Sequence, residues 1–168
     1  ERMATYFPNL KKVDARQCSN YLMLEKLLQR LPDLDVNYSV SLGAASFAPD
    51  TTELALGPED FDLDTLTQNL PHLPQLTSVV LCRTELTLEQ VEALRGSFPD
   101  IAFRYQVELL GQIYEEDTTE LDLSAMTSGQ VDEAVKKLPM LPALEKIVLT
   151  DAEGNSHLPK EDVKVLQQ

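Results

Sequence analysis

The sequence predicts an α/β fold: a β/α solenoid with a curved, mainly parallel sheet, helices on its outer face and β-hairpin insertions. Three observations predict it. A unit of about 67 residues recurs roughly two and a half times. Within each unit, segments with strand periodicity alternate with segments of helical periodicity. The strand centres fall near 13, 54, 79, 121 and 147, and a short β/α unit that cannot bury its own apolar face must stack on a neighbour.

The repeat is carried by several markers that share one spacing. Asp50-Thr51-Thr52-Glu53-Leu54 returns as Asp117-Thr118-Thr119-Glu120-Leu121, and Leu31-Pro32-Asp33-Leu34 returns as Phe98-Pro99-Asp100-Ile101, both 67 residues on. Tyr38 and Val40 return as Tyr105 and Val107. Leu70-Pro71-His72-Leu73-Pro74 returns as Leu138-Pro139-Met140-Leu141-Pro142, and Phe7-Pro8-Asn9-Leu10 closes an earlier copy. The expected organisation is a single repeat domain over 1–168: a partial repeat at 1–30, a repeat at 31–97, and one at 98–168 that is incomplete at its C-terminal end.

The strand segments show alternation, which means one buried face. They are Leu10-x-x-Val13-x-Ala15, Leu54-x-Leu56, Leu76-x-x-Val79-x-Leu81, Leu121-x-Leu123 and Leu144-x-x-Ile147-x-Leu149. The helical stripes are Leu24, Leu27, Leu28 and Leu31; Leu63, Leu66 and Leu70; Val91, Leu94 and Phe98; and Val131, Ala134, Val135 and Leu138. Thr87 stands three before Gln90 and Thr127 three before Gln130, as a capping box requires, and Asn20 holds the place equivalent to Thr87. Pro32, Pro71, Pro99 and Pro139 follow the last apolar residue of each stripe and predict its end. Ile101, Phe103, Tyr105 and Val107 alternate before a turn at Gly111-Gln112. That pattern predicts a further strand and a hairpin arm, copied from 33–49. Whether the strands at Leu34–Val40 and Ile101–Val107 join the main sheet is open at this point.

Charge is unevenly spread. The chain carries −14 overall, yet residues 1–30 hold six Lys/Arg against three Asp/Glu, a net of +3 that leaves −17 for the rest. No Lys or Arg lies between Arg30 and Arg83. Such a surface repels phosphate backbones, so nucleic acid is not an expected partner. No apolar run approaches the ~18–20 residues that cross a bilayer, so membrane insertion is not expected either. Cys18 and Cys82 are too few for a disulfide framework, and their strands lie too far apart to be bridged.

Candidate chemistry gives way to structural readings. Asp60, Asp62 and Asp64 resemble the start of a calcium loop, but Thr65 and Pro71 stand where Gly and Glu are needed, so these acids read as a helix N-terminus. The repeated Asp-Thr-Thr reads as a turn into a strand, and only the aspartate of Glu115-Glu116-Asp117 is shared with Ala48-Pro49-Asp50. His72 and His157 sit in no metal or catalytic spacing. Tyr38, Phe47, Phe103, Tyr105 and Tyr114 read as packing of the hairpin arms. No catalytic residue, metal ligand or cofactor is expected.

Leu76, Val79, Leu81, Thr84 and Leu86 fill the pattern L-x-x-L-x-L-x-x-N/C-x-L, with Thr84 in the Asn/Cys place. Leu10, Val13, Ala15 and Cys18 fill all but its last position, and Leu144, Ile147, Leu149 and Ala152 follow it more loosely. In these residues the chain resembles the leucine-rich repeat family, in a bacterial branch with alternating short and long repeats. The resemblance implies a curved parallel sheet with protein binding on its concave side. The candidate binding face is then Lys12, Asp14 and Arg16; Ser78, Val80 and Cys82; Glu120, Asp122 and Ser124; and Lys146, Val148 and Thr150, with Glu53, Ala55 and Gly57 beside them. These positions differ from strand to strand, as a binding face requires. The expected function is a non-catalytic protein-protein interaction module. The second reading is a structural spacer repeat in a larger bacterial protein, with a secreted or cell-surface setting favoured.

Overall fold

Alternating apolar residues form short strands, and capped amphipathic segments form the helices between them. The computed structural model describes residues 9–150, 153 and 158–166. Phe7, Pro8, Ala152 and His157, invoked above, lie outside these. The elements are β1 (Lys12–Asp14), α1 (Tyr21–Arg30), β2 (Asp35–Asn37), β3 (Val40–Ser41), β4 (Ser46–Phe47) and β5 (Glu53–Leu56). Then come α2 (Leu63–Asn69), β6 (Ser78–Leu81), α3 (Leu88–Ser97), β7 (Ala102–Leu109) and β8 (Gln112–Glu115). The last are β9 (Glu120–Asp122), α4 (Val131–Lys137), β10 (Lys146–Val148) and α5 (Lys160–Val165).

Helix starts are set by side chains that accept the free N–H groups of the first turn. Asn20 Oδ1 accepts from Met23 N at 3.1 Å and Asp62 Oδ1 from Thr65 N at 2.8 Å. Thr87 and Gln90 cap each other, at 2.9 and 3.3 Å. Thr127 N donates to Gln130 Oε1 at 3.0 Å ahead of α4. α1 and α3 stop at Arg30 and Ser97, just before Pro32 and Pro99. Pro71 and Pro139 act differently. Each sits inside a 3-10 turn, Leu70–His72 and Leu138–Met140, that continues directly from α2 and α4. A proline near the start of such a turn gives up an N–H that would be unpaired anyway, so the helix tightens before it ends.

The described residues group into two compact units. The first runs to Leu54 and takes in Glu59–Ser78; the second takes in Ala55–Pro58 and continues from Val79. In the first, β1 pairs parallel with β2, Val13 opposite Val36, and β3 pairs antiparallel with β4, Val40 opposite Phe47. Its core holds Leu24, Leu34, Tyr38, Val40, Leu42, Leu66, Leu70 and Leu73. The hairpin turn at Gly43 (φ +141°) lies so close to Phe61 and Asp62 that a Cβ there would meet Asp62 N at 2.7 Å, so only glycine fits.

In the second unit, β7 and β8 form an antiparallel hairpin with Val107 opposite Tyr114. It turns through Leu110 (φ 53°) and Gly111 (φ 77°), one residue before the turn expected from sequence. β9 pairs parallel with β10, Leu121 opposite Ile147. α3 and α4 both pack on β7. That strand buries Phe103, Tyr105, Val107 and Leu109 and exposes Ala102, Arg104 and Glu108, so its helices cover one face only. The strand pairing itself repeats. Val40–Phe47 and Val107–Tyr114 are the same cross-strand pair, 67 residues apart.

The single curved sheet of a solenoid is not what this chain forms. Among the described residues there are four separate sheets: β1-β2, β3-β4, β9-β10, and one four-stranded sheet in the order β5-β6-β7-β8. The protein is a mixed α/β structure with small sheets. The hairpins are the physical reason. Residues 112–115 of β8 take up hydrogen bonding along 106–109 of β7. β9 therefore finds no open edge there and pairs with β10 alone. The strands left open by the sequence are both incorporated, β2 beside β1 and β7 beside β6.

Candidate functional site

Strand alternation decides which side chains can meet a ligand. Val79 and Leu81 on β6 are fully buried, while Ser78, Val80 and Cys82 are half-buried on the opposite face. Leu54 and Leu56 are buried, whereas Glu53 and Ala55 are exposed; Gly57, grouped with them from sequence, is buried instead. Thr77 N donates to Thr52 O and Cys82 N to Leu56 O, both at 2.8 Å. The two numbers rise together, so β5 and β6 run parallel and Val80 comes level with Ala55.

The charged candidates are already engaged. Lys12 Nζ lies 3.0 Å from Asp35 on the paired strand. Arg16 grips Asp14 through Nε at 3.0 Å and Nη2 at 2.6 Å, and this fork holds the Asp14 carboxyl below its usual pKa. Lys146 reaches Glu120 across β9 and β10 at 2.6 Å. Asp122 accepts from Ser124 N at 3.0 Å; the Ser124 side chain, and then this backbone N–H, lower its pKa, and it stands opposite the half-buried Val148. Ser124 is half-buried and Thr150 exposed. Exposed pairs of this kind contribute little stability and mainly fix side-chain directions. An open depression beside β1 is bordered by Asp14, Arg16 and Gln17.

The twelve candidate residues are thus divided among the strands, or the residues just past them, of three sheets. Next to β6, β7 adds Arg104, Gln106 and Glu108 to the side that carries Val80 and Cys82. β8 adds Ile113 and Glu115, with Gln106 Nε2 donating to Glu115 Oε1 at 2.8 Å. Sequence reasoning missed these residues because it left the place of this strand open. The signal was present, since Arg104, Gln106 and Glu108 alternate with Phe103, Tyr105 and Val107. Thr84, in the Asn/Cys place of the pattern, is buried: its hydroxyl accepts from Leu86 N at 3.1 Å and its N–H donates to Gln106 O at 2.8 Å.

Two polar clusters were not legible in the sequence. In the first unit, His72 Nδ1 lies 2.6 Å from Glu25 Oε1, with the Tyr21 ring 5.0 Å from the imidazole. Tyr21 Oη accepts from Ser41 N at 3.0 Å, and Asn69 Nδ2 donates to Ser41 O at 2.8 Å. In the second, Arg95 binds Glu92 and Glu116 and donates to Phe103 O. Both clusters tie a helix to its neighbours, and neither places a nucleophile beside a base. Cys18 and Cys82 are free thiols. Among the described residues no group of three or more His, Cys, Asp or Glu could hold a metal, and no helix is long and apolar enough to cross a membrane.

No family model, curated protein or solved structure matches the chain. The likeness to leucine-rich repeats rests on the quoted strand residues alone. Fold and site together define a duplicated α/β protein whose four-stranded sheet keeps one side open.

Proposed function

We propose that this protein is a non-catalytic protein-interaction module, and that it binds through the open sheet side around Val80. One observation carries the reading. The outward charges of β1, β9 and β10 are spent on neighbouring side chains, whereas Val80 sits half-exposed beside Ala55 with Cys82, Arg104 and Gln106 on the same side. An apolar centre within a polar rim is the anatomy of a binding patch. A spacer repeat would carry the same bland residues at each copy, but Lys12, Asp14 and Arg16 give way to Ser78, Val80 and Cys82 one copy later. The −17 charge of residues 31–168 favours a partner with a basic surface. Metals, cofactors, nucleic acid and membrane insertion have no part in this reading.

The test compares immobilised wild type with Val80→Asp, matched for melting temperature. A protein retained by the wild type, released by salt and lost with Val80→Asp supports the reading. Equal retention by both, or none by either, contradicts it.

A further inference from the structure

The duplication supplies an internal control, because positions 67 residues apart hold equivalent places in the repeat. On α1 the control exposes an anomaly. Leu22 and Met23 are 59% and 50% exposed, and Lys26 and Arg30 are exposed beside them. At 100° per residue these four side chains fall within an arc of about 100°, opposite the buried Leu24. The equivalent positions of α3, 67 residues on, are Glu89, Gln90, Ala93 and Ser97. The two helices share cap position, length and the buried pair Leu24/Val91, so the fold does not require an apolar, basic outer face on α1.

The hairpins depart from the repeat in the complementary sense. Ile113 is 54% exposed, with Glu108 directly opposite and Glu115 two residues on, so all three share the open side. Their counterparts in the first copy are Ser46, Ser41 and Ala48. Leu22, Met23 and Ile113 are three of the four exposed large apolar side chains among the described residues. Lys26, Arg30 and Glu108 enter no ion pair among the described residues, which leaves their charges available.

We propose that the chain associates head-to-tail with a second copy of itself, the Leu22/Met23/Lys26/Arg30 face of one molecule docking on the Ile113/Glu108/Glu115 face of the next. Apolar side chains meet at the centre, and the basic rim of one patch faces the acidic rim of the other. Charge complementarity selects this occupant: residues 1–30, at +3, belong to the same chain as an acidic remainder of −17. The contact is heterologous, since two different patches meet, and it propagates beyond a dimer unless a ring closes. This deepens the interaction reading by naming a partner. Its substitutions avoid Val80, so failure of self-association and failure of capture at Val80 are separately visible.

Sedimentation velocity on the 168-residue chain over a concentration series tests it. The wild type is expected to associate at low salt, with apparent affinity falling about tenfold or more between about 0.05 M and about 0.5 M salt. Lys26→Glu/Arg30→Glu and Glu108→Lys/Glu115→Lys are each expected to remain monomeric. Mixed, they restore association, because each retains one native patch and the two reversed patches are again complementary. That restoration also demonstrates that both variants are folded. A wild type that stays monomeric at every concentration and salt overturns the proposal. So does either variant assembling as the wild type does, or a mixture that stays monomeric while both variants melt like the wild type.

Discussion

The guanidinium carbon of Arg95 lies over the ring of Tyr105, 5.6 Å from its centroid. Arg95 also donates to Phe103 O through Nε at 3.2 Å and Nη2 at 2.7 Å, and to Glu92 at 2.8 Å. The cation is fully occupied while the Tyr105 hydroxyl, buried beneath it, has no hydrogen-bond partner. Burial, then the Glu116 charge, pushes that hydroxyl's pKa up. The ring therefore contributes the stability and the hydroxyl does not. Tyr105→Phe should be neutral or stabilising, because it removes a desolvated polar group. Tyr105→Ala should cost about 3–5 kcal/mol, the usual range for a large core aromatic. Urea denaturation measures both. A loss above about 1.5 kcal/mol for Tyr105→Phe would show that the hydroxyl is bonded after all.

Asp62 carries a pH dependence. It caps α2 through Thr65 N, and this backbone hydrogen bond, reinforced by the side-chain bond to Thr65, holds its pKa below the ordinary 3.8. For a depressed carboxyl the stabilisation is complete above the unfolded value and is lost as pH falls through the lower folded one. The melting temperature should therefore drop as pH falls below 3.8. Asn caps a helix about as well as Asp but does not titrate. Asp62→Asn should keep the stability at pH 7 and flatten part of the acid slope. The slope that remains comes from groups such as Asp14 and Asp122, lowered by Arg16 and Ser124. An acid limb unchanged in Asp62→Asn would remove the cap from this role.

Much of the local structure was written in the residues. Val79 and Leu81 face inward against Ser78 and Val80, Thr87 and Gln90 cap α3, and Asp62 caps a helix where a metal loop was conceivable. These rest on short-range rules of period and spacing. The sheet arrangement was not legible in the same way. The 67-residue period identified a repeated unit, but stacking its strands into one curved sheet required the hairpins to stand aside. Instead Ile113 and Tyr114 return along β7, and β9 pairs only with β10. Edge occupancy is a non-local property that alternation does not encode. The partners of His72 were not legible for the same reason, since Glu25 and Tyr21 reach it only after α1 and the Leu70–His72 turn come together. On the candidate face, the outward direction of Lys12, Glu120 and Lys146 was readable. That each already has a cross-strand or neighbouring partner was not.

The open sheet side is tested most directly by thermal unfolding of Val79→Asp beside Val80→Asp. The two residues are adjacent on β6, but Val79 is fully buried and Val80 only half-buried. An aspartate at 79 places an unpaired charge in the core, and an aspartate at 80 points it toward water. Val79→Asp should abolish the cooperative transition, and Val80→Asp should cost about 1 kcal/mol or less. If Val80→Asp unfolds the protein as Val79→Asp does, the side of the sheet assigned to binding is covered, and the interaction reading built on it fails.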